Sequence, residues 1–221
     1  MEGRLTEIPR RDALRYLGVR GIPAEDLRDQ MDRCAALLRE RVRPRVVWKL
    51  FPLDGGFALP ETSFAFSGED IRRHLRGCRE VILLAATLGM ESEILIRQAQ
   101  SRSMADAVML DALASAAVEN VADNLCGDLA AAFAPKRLTA RYSPGYGDFP
   151  LSAQEAFCAL LNVQRVLGVS LTPGGLLIPQ KTITAAVGLS DKPIPEDSPA
   201  NGAGCVLSER CPYRKEGQCC E

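Results

Sequence analysis

Between Arg10 and Arg43 apolar residues recur at helical spacing, as Leu14, Leu17, Leu27, Met31, Cys34, Leu37 and Leu38, with Gly18, Gly21 and Pro23 breaking the run. The pattern predicts a short helix, a turn, and then an amphipathic helix from about Ala24 to Arg41. Val46 to Phe51 has the β-branched and aromatic content of a strand, and Asp54-Gly55-Gly56 reads as the turn after it. Phe64-Ala65-Phe66 is a second short strand candidate, with Ser67 placed to cap a helix starting near Glu69. Val81 to Leu88 is continuously aliphatic and bounded by charge and Gly89, the signature of a strand buried on both faces.

Helical patterning resumes from Glu91 to Gln100 and again from about Met104 to Phe133, where Pro135 ends it. This second stretch is rich in alanine and serine, which lets neighbouring backbones approach closely. It carries five acids and no base: Asp106, Asp111, Glu119, Asp123 and Asp128. They suit a solvated face; Glu119 and Asp123, one turn apart, equally suit presentation of carboxylates to a cationic ligand. Leu138 to Tyr142 reads as extended, Ser143 to Gly147 as a loop, and Ser152 opens a helix to about Leu167. Strand-like stretches follow at Leu176 to Ile178 and Lys181 to Leu189. Residues 1–190 thus form one domain, helical over 1–45, and 191–221 form a tail rich in Pro, Gly and Cys.

Helices come in clusters around isolated strands, without a repeated strand-helix-strand unit. That favours an α+β fold with a mainly antiparallel sheet flanked by helices. Asp54-Gly55-Gly56 and Gly174-Gly175 lack the spacing of a phosphate-binding loop.

Charge and composition remove several function classes. With 27 basic and 28 acidic residues in 221, a net charge of −1, and 47% apolar side chains, the chain reads as a soluble globular protein with no bias toward nucleic acid or anionic lipid. Its longest apolar stretch, Val81 to Met90, is too short to cross a bilayer, and the charged N-terminus is unlike an export signal, so a cytoplasmic location is expected. A single histidine, His74, removes most mechanisms that need a His base with a His or Cys partner; it lies in the basic run Arg72-Arg73-His74-Leu75-Arg76 and is expected at the surface, and no catalytic residue is assigned. Cys34, Cys78, Cys126 and Cys158 are dispersed, mostly among aliphatic neighbours, as small hydrophobes would be. Cys205, Cys211, Cys219 and Cys220 crowd the last seventeen residues. In number they suffice for zinc or an iron–sulfur cluster, although their spacing is not that of a Cys-x-x-Cys knuckle; the alternative is a set of free thiols.

The segment richest in chemistry is Arg141-Tyr142-Ser143-Pro144-Gly145-Tyr146-Gly147-Asp148-Phe149-Pro150. Arg141 supplies a permanent cation with a fork of donors suited to a carboxylate. Glycines allow backbone groups to approach a ligand, and a tyrosine ring can stack on a base or attract a cation. An amino-acid nucleoside with a sulfonium centre needs this combination. A tight turn whose arginine makes a surface ion pair and whose tyrosine packs in the core accounts for the same residues.

Arg141-x-x-Pro144-Gly145-Tyr146, with Pro150 four residues on, resembles the S-adenosylmethionine-binding motif of the activation domain of vitamin B12-dependent methionine synthase. Ala112-Leu113-Ala114 through Glu119, Ala122 and Asp123 resembles the Ala- and Glu-rich helix of that domain. Leu171-Thr172, Pro179 and Thr182-Ile183-Thr184 resemble its Leu-Thr…Pro…Ser-x-Ser segment. The similarity covers about residues 104–189, and the rest of the chain looks like stand-alone relatives of the domain. It implies an α+β fold with a twisted antiparallel sheet. It also implies a role in reactivating cobalamin-dependent methionine synthase, with S-adenosylmethionine placed beside a cobalamin on a partner corrinoid protein so that one-electron reduction of cob(II)alamin is trapped by methyl transfer. A flavodoxin-like or ferredoxin-like protein would supply the electron. By the same resemblance Arg141 holds the methionine carboxylate, the backbone around Ser143, Pro144 and Gly145 meets the nucleoside, Tyr146 packs nearby, and Glu119 faces the cationic end. Where the family has a ligand-contacting tyrosine this chain has Val187, and Asp54 is the candidate for an early aspartate. The alternative reading is a corrinoid-protein interaction or metal-binding module that keeps the fold without the ligand.

Overall fold

A computed structural model describes residues 1–192. Its element order is α1 (Arg10–Tyr16), α2 (Glu25–Arg41), β1 (Arg45–Pro52), α3 (Glu69–His74), β2 (Glu80–Thr87), α4 (Met90–Gln100), α5 (Met104–Ala132), β3 (Arg137–Leu138), α6 (Ala153–Leu161), α7 (Val163–Leu167), β4 (Ser170–Leu171), β5 (Leu177–Ile178) and β6 (Thr182–Ser190). The fold is α+β, with a four-stranded sheet in the order β1-β2-β6-β3 and a separate β4-β5 pair. Antiparallel pairing is visible at the strand ends. Leu53 N donates to Arg79 O at 2.9 Å, Arg79 N to Leu189 O at 3.3 Å and Leu88 N to Lys181 O at 3.0 Å. β3 pairs with β6 in the register Arg137–Ser190 and Leu138–Leu189. The described residues group into two compact units; β1, β2 and β6 each contribute residues to both.

The first unit comprises Met1–Val47, Ala85–Asp128 and Asn162–Ile183. In α2, Glu25 and Asp26 occupy the first turn and Arg39 and Arg41 the last, each sign opposing the helix dipole, while Met31, Cys34 and Leu38 are buried. α2 packs against α4, and Arg41 pairs with Glu91 at 3.1 Å. α5 starts where Ser103 Oγ accepts a bond from Asp106 N at 3.2 Å, a cap of the expected kind. Its buried residues mix alanines, such as Ala112, Ala114, Ala116, Ala117 and Ala122, with larger apolar side chains that include Leu113 and Val121. Three of its five acids are met from elsewhere: Asp106 by Gln30 at 2.7 Å, Asp111 by Lys181 at 2.8 Å and Asp128 by Arg4 at 2.6 Å.

The second unit comprises Trp48–Leu84, Leu129–Leu161 and the residues from Thr184. Ile82, Leu83 and Leu84 of β2 are fully buried, stabilising the fold by roughly 1.5–3 kcal/mol each. An aromatic cluster joins Phe64, Phe66, Phe149 and Phe157 at centroid distances of 5.0–6.4 Å, the edge-to-face pairs included.

Several expectations need correction. Ser67 does not cap α3: the N-cap residue is Gly68, at φ +112°, and the capping oxygens come from Asp148. Phe64-Ala65-Phe66 contributes one isolated bridge, Ala58–Ala65, in place of a strand. The helix expected from Ser152 to Leu167 is broken into α6 and α7 at Asn162, whose φ of +53° is left-handed, a conformation asparagine tolerates better than most residues. His74 is buried, at 2% exposure, and its neighbours Ile71 and Leu75 lie on the same inward face.

Candidate functional site

The Arg141–Pro150 segment belongs to the second unit, and its entry is fixed by a pair of backbone bonds. Tyr142 N donates to Ala186 O at 3.0 Å and Ala186 N returns a bond to Tyr142 O at 2.9 Å, an isolated antiparallel bridge that fixes the chain next to Arg141 immediately before it turns. The turn then closes on itself. Tyr146 N donates to Ser143 O at 3.2 Å, Gly145 N to Phe149 O at 2.9 Å and Phe149 N to Tyr146 O at 2.9 Å. Gly145 has φ +92°, which a side chain rarely adopts, so glycine is required here by conformation. Pro144 and Phe149 are buried and anchor the two sides of the bend. Gly145, Tyr146, Gly147 and Asp148 stay exposed.

The two tyrosines divide the work. Tyr142 is 5% exposed, tilted against His74 at 5.1 Å between centroids, and Tyr146 is 62% exposed, edge-on to Tyr142 at 6.2 Å. The tyrosine that packs in the core is therefore Tyr142, and Tyr146 offers its ring to solvent. Burial pushes the Tyr142 phenol up to about 12, with Asp70 and Asp148 adding to the effect. Arg141 is half-buried, and its Nη1 is closed off from solvent.

Beneath the loop, His74 Nε2 lies 2.8 Å from Ala140 O. A carbonyl only accepts, so this nitrogen carries the proton. Burial holds the imidazole below its usual pKa, against a smaller opposite effect of that carbonyl. The far side of the loop is tied to α3: Asp148 Oδ2 accepts from Glu69 N at 2.6 Å and Oδ1 from Asp70 N at 3.0 Å. These backbone N–H groups, Asp70 first and then Glu69, hold the Asp148 carboxyl below the usual carboxylate range.

Arg141, Ser143, Pro144, Gly145 and Tyr146 are thus brought together in one bend. Glu119 lies in the first unit, half-buried on α5, where its charge acts to raise the pKa of Tyr16, second to burial. Val187 is fully buried. Asp54 Oδ1 accepts from Gly56 N and Ala58 N, both at 2.8 Å, so its carboxylate builds its own turn. Sequence reasoning missed Asp148, Gly68 and Tyr142 as parts of the loop's support; Asp148 and α3 are 79 residues apart, with no local pattern to link them.

No family model matches the sequence, and no curated protein does. Among solved structures, the MetH reactivation domain bound to AdoHcy matches with a TM-score of 0.56 over 96% of this chain and 75% of that one, at 18% identity. The chain shares that domain's fold. This agrees with the α+β architecture expected from the sequence and with the antiparallel sheet. Cys205, Cys211, Cys219 and Cys220, the candidate ligands for zinc or an iron–sulfur cluster, lie outside the described residues. Among the described residues no group of three or more His, Cys, Asp or Glu side chains is arranged to hold a metal ion, and no helix is long and apolar enough to cross a membrane.

Burial pushes Cys34 up to about 11, with Asp106 adding to the effect, and Cys78 also up to about 11. Burial also raises Cys158. Thiols so displaced are poor nucleophiles, in keeping with packing roles.

Proposed function

We propose that this protein binds S-adenosylmethionine and its product AdoHcy at the Arg141–Tyr146 bend and serves as the reactivation component of a cobalamin-dependent methionine synthase. The observation that carries the reading is an Arg-x-x-Pro-Gly-Tyr bend, its Gly145 and Tyr146 exposed and its Arg141 half-buried, on a fold shared with a reactivation domain whose structure holds AdoHcy. Arg141 offers its fork of donors to the methionine carboxylate, from a partly desolvated position that strengthens a charge-assisted bond. Tyr146 offers a ring face to the nucleoside. Gly145 N–H is engaged by Phe149 O, so that residue meets a ligand through its carbonyl side.

The chain's part in such a reaction is placement. It needs no acid or base of its own, because orientation of the sulfonium methyl toward an acceptor supplies the advantage. A cobalamin held by a partner corrinoid protein is the methyl acceptor when bound, and an electron-transfer protein of the flavodoxin or ferredoxin kind is the reductant in this reading. Glu119 is assigned to the ligand by the resemblance alone and is tested by its own variant, Glu119→Gln.

Isothermal calorimetry with AdoHcy and with S-adenosylmethionine is the test. The wild type binds both, and Arg141→Ala weakens binding by about tenfold or more, the size of one lost charge-assisted hydrogen bond. Absence of heat at millimolar ligand, or an Arg141→Ala variant equal to wild type, overturns the reading. A pull-down with a corrinoid protein then separates a reactivation component from a fold that has kept only its interaction surface.

A further inference from the structure

Two glycines and two aspartates bring the bend against the start of α3. A Cβ at Gly68 would sit 2.7 Å from Asp148 Oδ1 and 2.8 Å from Asp148 O, and φ there is +112°. A Cβ at Gly147, where φ is +53°, would meet Asp70 Oδ2 head-on and lie 2.8 Å from Tyr142 Oη. Each glycine therefore faces the carboxylate that follows the other, and no side chain fits between the two segments. Across this contact the Asp148 carboxylate takes the first two N–H groups of α3, which a helix of this length cannot pair internally. Asp70, whose carboxylate lies beside Gly147, is held in turn by Arg73 at 3.4 Å. Gly68, the N-cap residue of α3, has no side chain to cap the helix itself.

From this geometry we infer that Asp148 is a positioning residue for the ligand-binding bend, strapping the Pro144-Gly145-Tyr146 turn to α3 so that Tyr146 and the Gly145 carbonyl are held ready before a ligand arrives. The inference rests on the reading of the bend as a nucleoside site. Preorganisation of this kind raises affinity by removing the ordering cost from the binding step. Asp148 touches no ligand in this account; it acts through the main chain of the turn. The bond between Gly145 N and Phe149 O spans Asp148, so releasing the carboxylate loosens the turn on both sides.

The experiment combines amide hydrogen exchange by NMR with calorimetry against AdoHcy, on wild type, Asp148→Ala, Asp148→Asn and Gly147→Ala. Asp148→Asn keeps one acceptor oxygen and serves as the conservative variant. In Asp148→Ala, exchange at the amides of Glu69, Asp70, Gly145 and Phe149 is expected to rise about tenfold while Leu83 and Leu84 are unchanged. AdoHcy affinity is expected to fall by about tenfold, with Asp148→Asn intermediate in both readouts and Gly147→Ala, which clashes with Asp70, reproducing the loss with the Asp148 side chain still present. Unchanged exchange at Gly145 and Phe149 in Asp148→Ala overturns the strap. Faster exchange with affinity within twofold of wild type overturns the positioning role alone. A wild type that binds no AdoHcy overturns the functional reading and, with it, the positioning role, whatever the exchange rates.

Discussion

Gly188 of β6 sits where the strand passes the Cys78 loop and the approach to Arg141, and it is the place where one methyl group should do the most damage. Its φ is unremarkable, so the cost of Gly188→Ala is purely steric. An added Cβ would lie 2.6 Å from Cys78 Sγ, 2.9 Å from Leu75 Cδ2 and 3.2 Å from Thr139 Cγ2. Two of these distances are shorter than carbon or sulfur tolerates, and Leu75 is fully buried and cannot swing into solvent. Overpacking of this kind costs about 1–3 kcal/mol. Gly188 also exchanges backbone and side-chain bonds with Thr139, through Thr139 N to Gly188 O at 2.9 Å and Gly188 N to Thr139 Oγ1 at 2.9 Å, so the displaced strand carries the lead-in to Arg141 with it. The assay is urea unfolding of wild type, Gly188→Ala, Cys78→Ala and the double variant. Cys78→Ala removes a group of about methylene size and should cost about 1 kcal/mol by itself. In the double variant the 2.6 Å clash is gone while the Leu75 and Thr139 contacts remain, so the two losses should sum to more than the double variant shows, by about 1 kcal/mol. Additive losses, or a Gly188→Ala protein as stable as wild type, would refute the reasoning.

Two further outcomes are expected. Thr184→Val leaves Gln154 Oε1 without the buried 3.0 Å bond from Thr184 Oγ1, and should lower stability by about 1–3 kcal/mol in the same unfolding assay; a neutral result would mean that Gln154 finds another donor. His74 has its pKa lowered by burial from a usual value of 6.5, so the unfolded chain binds the extra proton first. Stability from this residue is complete above pH 6.5 and is lost as the pH falls below it toward the folded-state value, and His74→Gln should flatten the Tm–pH profile in that range.

The parts of the fold carried by local pattern were legible. β2 reads as a doubly buried strand because every residue from Val81 to Ala86 is apolar and buried. α5 reads as a long helix because nothing breaks its period, and the Arg141–Pro150 bend reads as a loop because proline and two glycines allow little else. The charged neighbours of His74 mask the helical spacing that buries it. Ile71, His74 and Leu75 share one helical face, and Arg72, Arg73 and Arg76 point away from it. Asn162 carried a signal for a helix break in its tolerance of left-handed backbone. The cap of α3 by Asp148 had none, since it depends on Gly68 facing Asp148 and Gly147 facing Asp70 across segments distant in sequence.

The donors that meet α5 have one more consequence. A peptide of these residues alone would hold five negative charges and nothing to offset them. Arg4, Gln30 and Lys181 reach Asp128, Asp106 and Asp111 from far along the chain in both directions. The electrostatic balance of the longest helix is therefore a property of the assembled first unit. Anyone trimming the first thirty residues to obtain a smaller domain would need to supply new partners for Asp106 and Asp128, or accept a helix with its charge unanswered.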